Sequence, residues 1–207
     1  MSALGAAALL AFATGPAHAD TRQDARAFIM NLADTAMNTV AIKSIDDAER
    51  NRRFRTLFVN TFDLPEIGKM VLGRYWRIAT PEQQQEFLRL FEEVQVLTWA
   101  KRFNDYSGET LEIVAVNPEG ETNVAIDSLI HRSKQDPLQV AWLLRKTDGS
   151  FRVLDIKVEG ASMALTYRSD YGAVIQASGG KIEGLLNALR KKVGQLGGDA
   201  ATATAQR

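Results

Sequence analysis

Apolar side chains in the first hundred residues recur every three or four positions, the spacing that places them on one face of an α-helix. The first predicted helix covers residues 24–43, and its apolar stripe consists of Phe28, Leu32, Ala36 and Val40. A second, arginine-rich helix is predicted to end near residue 60, and a short third helix is predicted to end at Gly73. The first part of the chain is therefore predicted to be mainly helical.

The clearest helix start lies at residues 80–83, which read Thr-Pro-Glu-Gln. The threonine can accept a hydrogen bond from the backbone, the proline fits the first helical position, and the glutamine completes a capping box. Apolar residues then follow at spacings of three and four. We expect this helix to continue to about Phe103.

From Gly108 onward the pattern changes to an alternation of apolar and polar residues, which is typical of strands. Four strands are predicted, over residues 111–116, 123–132, 139–145 and 151–158, and short turns separate them. Consecutive strands with short turns predict an antiparallel meander. The third strand is apolar on both faces, so we expect both of its faces to be covered.

Two helices are predicted to close the chain, over residues 162–176 and 181–193. The order of helices, four strands and helices indicates an α+β domain in which several helices cover a curved, mainly antiparallel four-stranded sheet. Residues 20–196 are expected to form this single domain. The remaining residues, 197–207, are rich in glycine, alanine and threonine and are expected to form a disordered tail.

Residues 1–19 have the features of an export signal. A run of small and apolar residues from Ala3 to Ala13 precedes Ala17-His18-Ala19, which fits the small-x-small cleavage pattern. Cleavage is expected after Ala19. The run is shorter than the roughly 20 residues that a membrane-spanning helix needs, so we expect export with cleavage rather than an anchor.

Charge and cysteine content exclude several classes of function. The chain has 25 lysines plus arginines and 25 aspartates plus glutamates, whereas general nucleic-acid-binding proteins normally carry a basic excess. It has no cysteine, which excludes disulfides, thiolate zinc sites and cysteine nucleophiles. Stability must therefore come from the apolar core.

No catalytic or metal-binding constellation is recognisable in the sequence. His18 falls in the predicted signal, and His131 stands at the end of a strand with no metal-ligand spacing around it. Asp155 and Glu159, four residues apart, could form an acid/base pair, but turn and cap roles are favoured. We expect that the protein is not an enzyme and that it has no catalytic residue and no metal site. A small steroid-isomerase-like enzyme is the catalytic alternative.

Three segments, Leu72–Arg77, Thr80–Gln83 and Asp155–Tyr171, resemble in order and spacing the toluene-tolerance, or MlaC-like, family of periplasmic phospholipid-binding proteins. The resemblance extends over nearly the whole mature chain. It implies a periplasmic carrier without enzymatic activity or cofactor, which holds a lipid as cargo and shuttles it between two membranes. The implied partners are an inner-membrane ABC-type lipid-transport complex and an outer-membrane lipoprotein complex.

A lipid carrier must enclose acyl chains in an apolar cavity. A diacyl lipid carries about 30 methylenes worth roughly 0.8 kcal/mol each, so its unassisted passage through water would cost on the order of 20 kcal/mol. We expect the cavity between the sheet and the helices after Gly73 and Gly160. The predicted lining residues are Leu72, Trp76, Val94, Leu97, Val114, Val116, Ile126, Trp142, Leu144, Met163 and Tyr167.

Two alternatives to a phospholipid carrier remain besides the enzyme. One is a hopanoid-lipid carrier of the same fold, and the other is a periplasmic interaction module with a solid core and no ligand. The arginines of residues 50–55 and the basic last helix are favoured as solvated faces, and docking on acidic partners or anionic headgroups is their functional alternative. The basic residues of that helix are Lys181, Arg190, Lys191 and Lys192.

Overall fold

The computed structural model of the chain describes residues 17–205, with side chains described for residues 21–198. Six α-helices lie in this part of the chain: α1 (Ala17–Thr35), α2 (Asp47–Thr61), α3 (Leu64–Leu72), α4 (Pro81–Arg102), α5 (Met163–Ala177) and α6 (Ile182–Ala205). A π-helical turn, Ala36–Val40, follows α1. Two 3-10 turns, Gly73–Arg77 and Phe103–Asp105, follow α3 and α4.

The described strands form one antiparallel sheet in the order β1-β2-β3-β4-β5. They are β1 (Thr110–Glu119), β2 (Asn123–Arg132), β3 (Gln135–Thr147), β4 (Ser150–Val158) and β5 (Ala161–Ser162). The predicted α+β class and antiparallel meander are confirmed, but the predicted number of four strands is wrong. The fifth strand was missed because its two residues are too few to show the alternation that identifies a strand.

The turn between β4 and β5 brings the chain from the sheet to helix α5. Glu159 and Gly160 connect the paired residues Val158 and Ala161, and both have positive φ angles, of 49° and 79°. Two central residues with positive φ are typical of the tight hairpin turn that matches the twist of antiparallel strands. Helix α5 begins directly afterwards, so this turn sets the position of the helix against β4.

The capping box predicted at the start of α4 is present. The Thr80 hydroxyl oxygen accepts a hydrogen bond from the Gln83 backbone N–H at 3.3 Å, and the Gln83 side-chain oxygen accepts one from the Thr80 N–H at 3.1 Å. Pro81 is the first residue of the helix, which ends at Arg102, one residue before the predicted end. Local sequence therefore specified the helix correctly at both ends.

Buried apolar side chains form two clusters. The helical cluster lies among α2, α3, α4, α5 and α6 and includes Phe87 and Leu186. The sheet cluster joins Ile29 of α1 to Ile126 and other residues on one face of the sheet. Among the described apolar side chains, Phe62 packs against both clusters and so connects the helices to the sheet.

The sequence predicted a disordered tail at the C-terminal end of the chain and an export signal at the N-terminal end. Helix α6 continues to Ala205, through residues 197–205, for which a disordered tail was expected. Most of the predicted export signal, residues 1–16, lies outside the described residues. Within residues 17–205, no helix combines the length and the apolar character needed to cross a bilayer.

Candidate functional site

Of the eleven predicted lining residues, eight belong to one of the two apolar clusters or pack against it. Four belong to the helical cluster or pack against it: Leu72, Trp76, Val94 and Tyr167. Four belong to the sheet cluster or pack against it: Val116, Ile126, Trp142 and Leu144. Two are half-buried and belong to neither cluster: Leu97 and Met163. The last, Val114, is 57% exposed.

Val114 lies on the outer surface of the sheet, next to the inward-facing Ile113, and a bulge in β1 turns Val116 to the inner surface. The register pairs Ile113 with Ser128 and Val116 with Ile126, so two residues of β1 oppose one residue of β2. The inward face of β1 therefore continues from Ile113 to Val116 and leaves Val114 outside. Simple alternation predicted Val114 and Val116 on one face, but a bulge shifts the alternation by one residue.

The side chain of Trp142 has a large apolar surface, and its indole N–H already has a hydrogen-bond partner. Its indole Nε1–H donates to the Ser128 hydroxyl at 3.1 Å, and that hydroxyl donates to the Val140 carbonyl at 2.7 Å. Ser128 is buried, whereas Trp142 is half-buried. The ring can therefore contact an apolar ligand without breaking a hydrogen bond.

On the helical side, a buried glutamine joins α4 to α5. The side-chain oxygen of Gln95 accepts hydrogen bonds from the Trp99 indole N–H at 3.1 Å and the Tyr167 hydroxyl at 2.9 Å. The rings of Tyr167 and Phe91 also form a T-shaped contact, with centroids 5.7 Å apart. Gln95 was not predicted from the sequence. The available signal was its place between Phe91 and Trp99, at four-residue spacing on a helix.

The carboxylates of Asp155 and Glu159 both accept hydrogen bonds that hold the chain between β3, β4 and α5. Asp155 is buried and accepts from the Ala164 backbone N–H at 3.0 Å and the Ser162 hydroxyl at 2.5 Å. Glu159 accepts from the Gln139 backbone N–H at 2.8 Å. The favoured turn and cap interpretation of these residues is confirmed.

Replacing Asp155 by alanine is expected to lower the free energy of unfolding by about 2–3 kcal/mol, because a buried backbone N–H loses a charged acceptor. Urea denaturation monitored by circular dichroism measures the change. Asp127→Ala, on an exposed position of β2, is the matched control and should cost less than about 1 kcal/mol. Equal stability of the two variants would contradict the structural role of Asp155.

Two open pockets, of about 630 and 610 Å³, lie at the surface between α5 and the 3-10 turn after α3. Arg74, Tyr75 and Gln176 line both of them. Arg74 donates a hydrogen bond to the Tyr75 hydroxyl at 2.9 Å, which lowers the pKa of that phenol. No strand residue lines either pocket, so neither is the cavity expected between the sheet and the helices.

Beside these pockets, the backbone of Gly73 lies close to the Arg168 side chain of α5. Gly73 has a φ of 52°, and a Cβ at this position would lie 2.8 Å from the guanidinium carbon of Arg168 on α5. The positive φ favours glycine here, whereas the Arg168 side chain is flexible and could move away from a Cβ. The arrangement brings the Arg168 guanidinium over the backbone at the end of α3.

The arginines considered for docking are engaged within the protein. Arg50 is only 2% exposed and donates to backbone carbonyls, so its expected place on a solvated face is wrong. The ion pairs of the others are Arg52 and Arg53 with Glu49, Arg55 with Glu92 and Glu93, and Arg190 with Glu86 and Glu183. Hydrogen bonds from Arg53 and Arg52 lower the pKa of Glu49. The three lysines considered for docking, Lys181, Lys191 and Lys192, are exposed.

The described side chains contain no group of histidine, cysteine, aspartate and glutamate that could hold a metal ion. His131 forms a surface pair with Glu112 across β1 and β2, with 2.6 Å between the ring Nε2 and the carboxylate oxygen. The predicted surface position of this histidine is confirmed. The features that remain as a candidate site are the half-buried aromatic residues and the two separate apolar clusters.

Two comparisons with known proteins bear on this arrangement. The sequence model of the family described as MlaC protein matches residues 28–191. Among solved structures, a phospholipid-binding protein from Ralstonia solanacearum, determined in complex with a phospholipid, superimposes with a TM-score of 0.75 and 23% sequence identity. The match covers 84% of this chain and 99% of that one. At this identity the likeness establishes a shared fold.

Proposed function

This chain belongs to the MlaC family, whose sequence model it matches over residues 28–191, and we propose that it is a periplasmic lipid carrier. In this proposal the protein holds the acyl chains of a phospholipid in an apolar cavity and carries the lipid through water. The family match is the observation that carries the proposal. The shared fold with a protein that was crystallised holding a phospholipid supports it.

The two apolar clusters support a site between the layers. Predicted lining residues occur in both clusters, and Trp142 and Tyr167 are each half-buried. Filling a core with side chains leaves few voids, whereas a cavity for acyl chains needs apolar groups that are not packed against each other. We therefore propose that lipid chains lie between the sheet and helices α4 and α5.

Transport requires export and docking in addition to binding. We propose that the predicted signal, residues 1–19, directs the protein to the periplasm. An inner-membrane ABC-type complex and an outer-membrane lipoprotein complex are the proposed partners. Because the sequence has no phosphate-binding loop, the proposal assigns energy input to a partner rather than to this chain.

Mass spectrometry of the mature protein, purified from the periplasm without detergent and then extracted with organic solvent, tests this function. We expect a phospholipid in stoichiometric amount, because displacing about 30 methylenes into water is too costly for rapid loss. A hopanoid would instead indicate a carrier for that lipid class. A protein of apo mass that takes up no added lipid would favour a ligand-free interaction module.

Replacing Trp142 by glutamate is expected to reduce copurified lipid at least tenfold while the protein stays folded. The ring is half-buried, so a carboxylate there can reach water in the free protein but would be desolvated against acyl chains. Lipid is quantified per mole of protein, and circular dichroism checks the fold. The control is Val59→Glu, at an exposed apolar position of α2. Full lipid content in the Trp142 variant would contradict the proposed site.

A further inference from the structure

The side-chain amide of Gln95 contains a buried donor group without a partner. Gln95 is 4% exposed, and its Nε2 atom makes no hydrogen bond with the described protein. The other side of the same amide is fully used, because Oε1 accepts from both Trp99 and Tyr167. Leaving a buried N–H unpaired is unfavourable, so this atom points to a missing acceptor.

The orientation of the amide follows from its neighbours. An indole N–H can only donate, so the atom that faces Trp99 at 3.1 Å must be the oxygen. Rotating the amide by 180° would place the NH₂ group against the indole N–H and lose that hydrogen bond. The unpaired group of Gln95 is therefore the NH₂ group, which seeks an acceptor oxygen.

The surroundings of Gln95 place this donor within the proposed lipid site. Val94, its neighbour on α4, and Tyr167, its partner on α5, are both predicted lining residues. The Phe91 ring packs against Tyr167 on the same side of α4. A saturated hydrocarbon chain offers no acceptor, so a purely apolar cargo would leave the NH₂ group unpaired.

We propose that the Gln95 NH₂ group donates a hydrogen bond to an ester carbonyl oxygen of the bound lipid. This inference rests on the proposed carrier function and extends it to a chemical feature of the cargo. Ester carbonyls link the acyl chains of a diacyl phospholipid to glycerol, and they accept hydrogen bonds but donate none. The bond supplies the missing acceptor and selects acyl-ester lipids over lipids that lack the carbonyl.

A comparison of two phosphatidylcholines tests the proposal. One is a diester and the other is a diether with alkyl chains of matched length, so the two differ in their carbonyl groups. Delipidated protein is titrated with each lipid in displacement of a fluorescent fatty acid. We expect the wild-type protein to bind the diester about fivefold more tightly, which corresponds to one net hydrogen bond.

Two substitutions on α4 test the role of the Gln95 amide. Gln95→Met keeps an unbranched side chain but removes the NH₂ group, together with the oxygen that accepts from Trp99 and Tyr167, and it should bind the two lipids with equal affinity. Gln85→Met is the matched control, since Gln85 lies on the exposed face of α4, and it should keep the fivefold preference.

The possible results distinguish a failure of the proposed Gln95 hydrogen bond from a failure of the carrier function on which that proposal rests. Equal binding of both lipids by the wild-type protein would overturn the role of Gln95 and leave the carrier function standing. A Gln95→Met variant that keeps the preference would also overturn it. Binding of neither lipid would contradict the carrier function itself. The wild-type comparison needs no substitution, so the test holds even where the variant does not fold.

Discussion

An aspartate in place of Leu144 should leave most of the protein unfolded. Leu144 is fully buried in the sheet cluster, where it pairs with Val124 of β2 and Val153 of β4. An unpaired buried carboxylate and the lost leucine contacts together cost about 5 kcal/mol or more. Natural domains have only about 5–15 kcal/mol of stability. Circular dichroism and urea denaturation measure the loss.

Val114→Asp is the matched control for this prediction. Val114 is also an aliphatic residue of the same sheet, but it faces outward and is 57% exposed. A surface substitution of this kind should cost less than about 1 kcal/mol. Similar stability of the two aspartate variants would mean that the inward face of the sheet is wrongly assigned. A charge at Leu144 disrupts folding, so loss of lipid in that variant would not identify the lipid site. Trp142 is therefore the better position at which to test lipid binding.

Replacing Arg50 by methionine is expected to lower the free energy of unfolding by about 3 kcal/mol, since three backbone acceptors lose a buried charged donor. The Arg50 guanidinium donates to the carbonyls of Val40, of Ile42 at 3.0 Å and of Ile45 at 3.3 Å. It thereby connects α2 to the segment that follows α1. Methionine has similar length but cannot donate to these carbonyls. Urea denaturation at neutral pH measures the difference.

Arg52→Met provides the control, two positions along the same helix. The Arg52 side chain is 68% exposed and pairs with Glu49, and exposed ion pairs contribute about 0–1 kcal/mol. We expect little change in the midpoint of unfolding for this variant. An equally small change for Arg50→Met would show that water replaces the guanidinium at the three carbonyls.

Patterns confined to a few neighbouring residues predicted much of the fold. Thr80 and Gln83 identified the start of α4, and alternation identified the four long strands. Asp155 was correctly interpreted as a capping residue. The features of the sheet that were missed include the two-residue β5 and the bulge between Ile113 and Ala115 of β1. Both break the regular alternation on which strand prediction depends. A search for regular alternation in the sequence therefore does not detect them.

The candidate site was less predictable, because apolar residue types do not show whether a side chain is packed or available. Leu144 and Trp142 are two residues apart on the same face of β3, yet Leu144 is fully buried and Trp142 is half-buried. The difference depends on which elements cover each end of that face. Gln95 was missed for a related reason, since its hydrogen-bond partner Tyr167 lies 72 residues away in sequence.

The sequence by itself determined the start of α4, the antiparallel meander, the absence of cysteine chemistry and the resemblance to a lipid-binding family. These follow from local hydrogen bonding, from the periods of helix and strand, and from composition. Only the tertiary structure decided that Arg50 is buried, that Val114 faces outward and that Gln95 holds an unpaired donor. Burial and pairing depend on groups brought together from distant parts of the chain, and a one-dimensional pattern does not contain those distances.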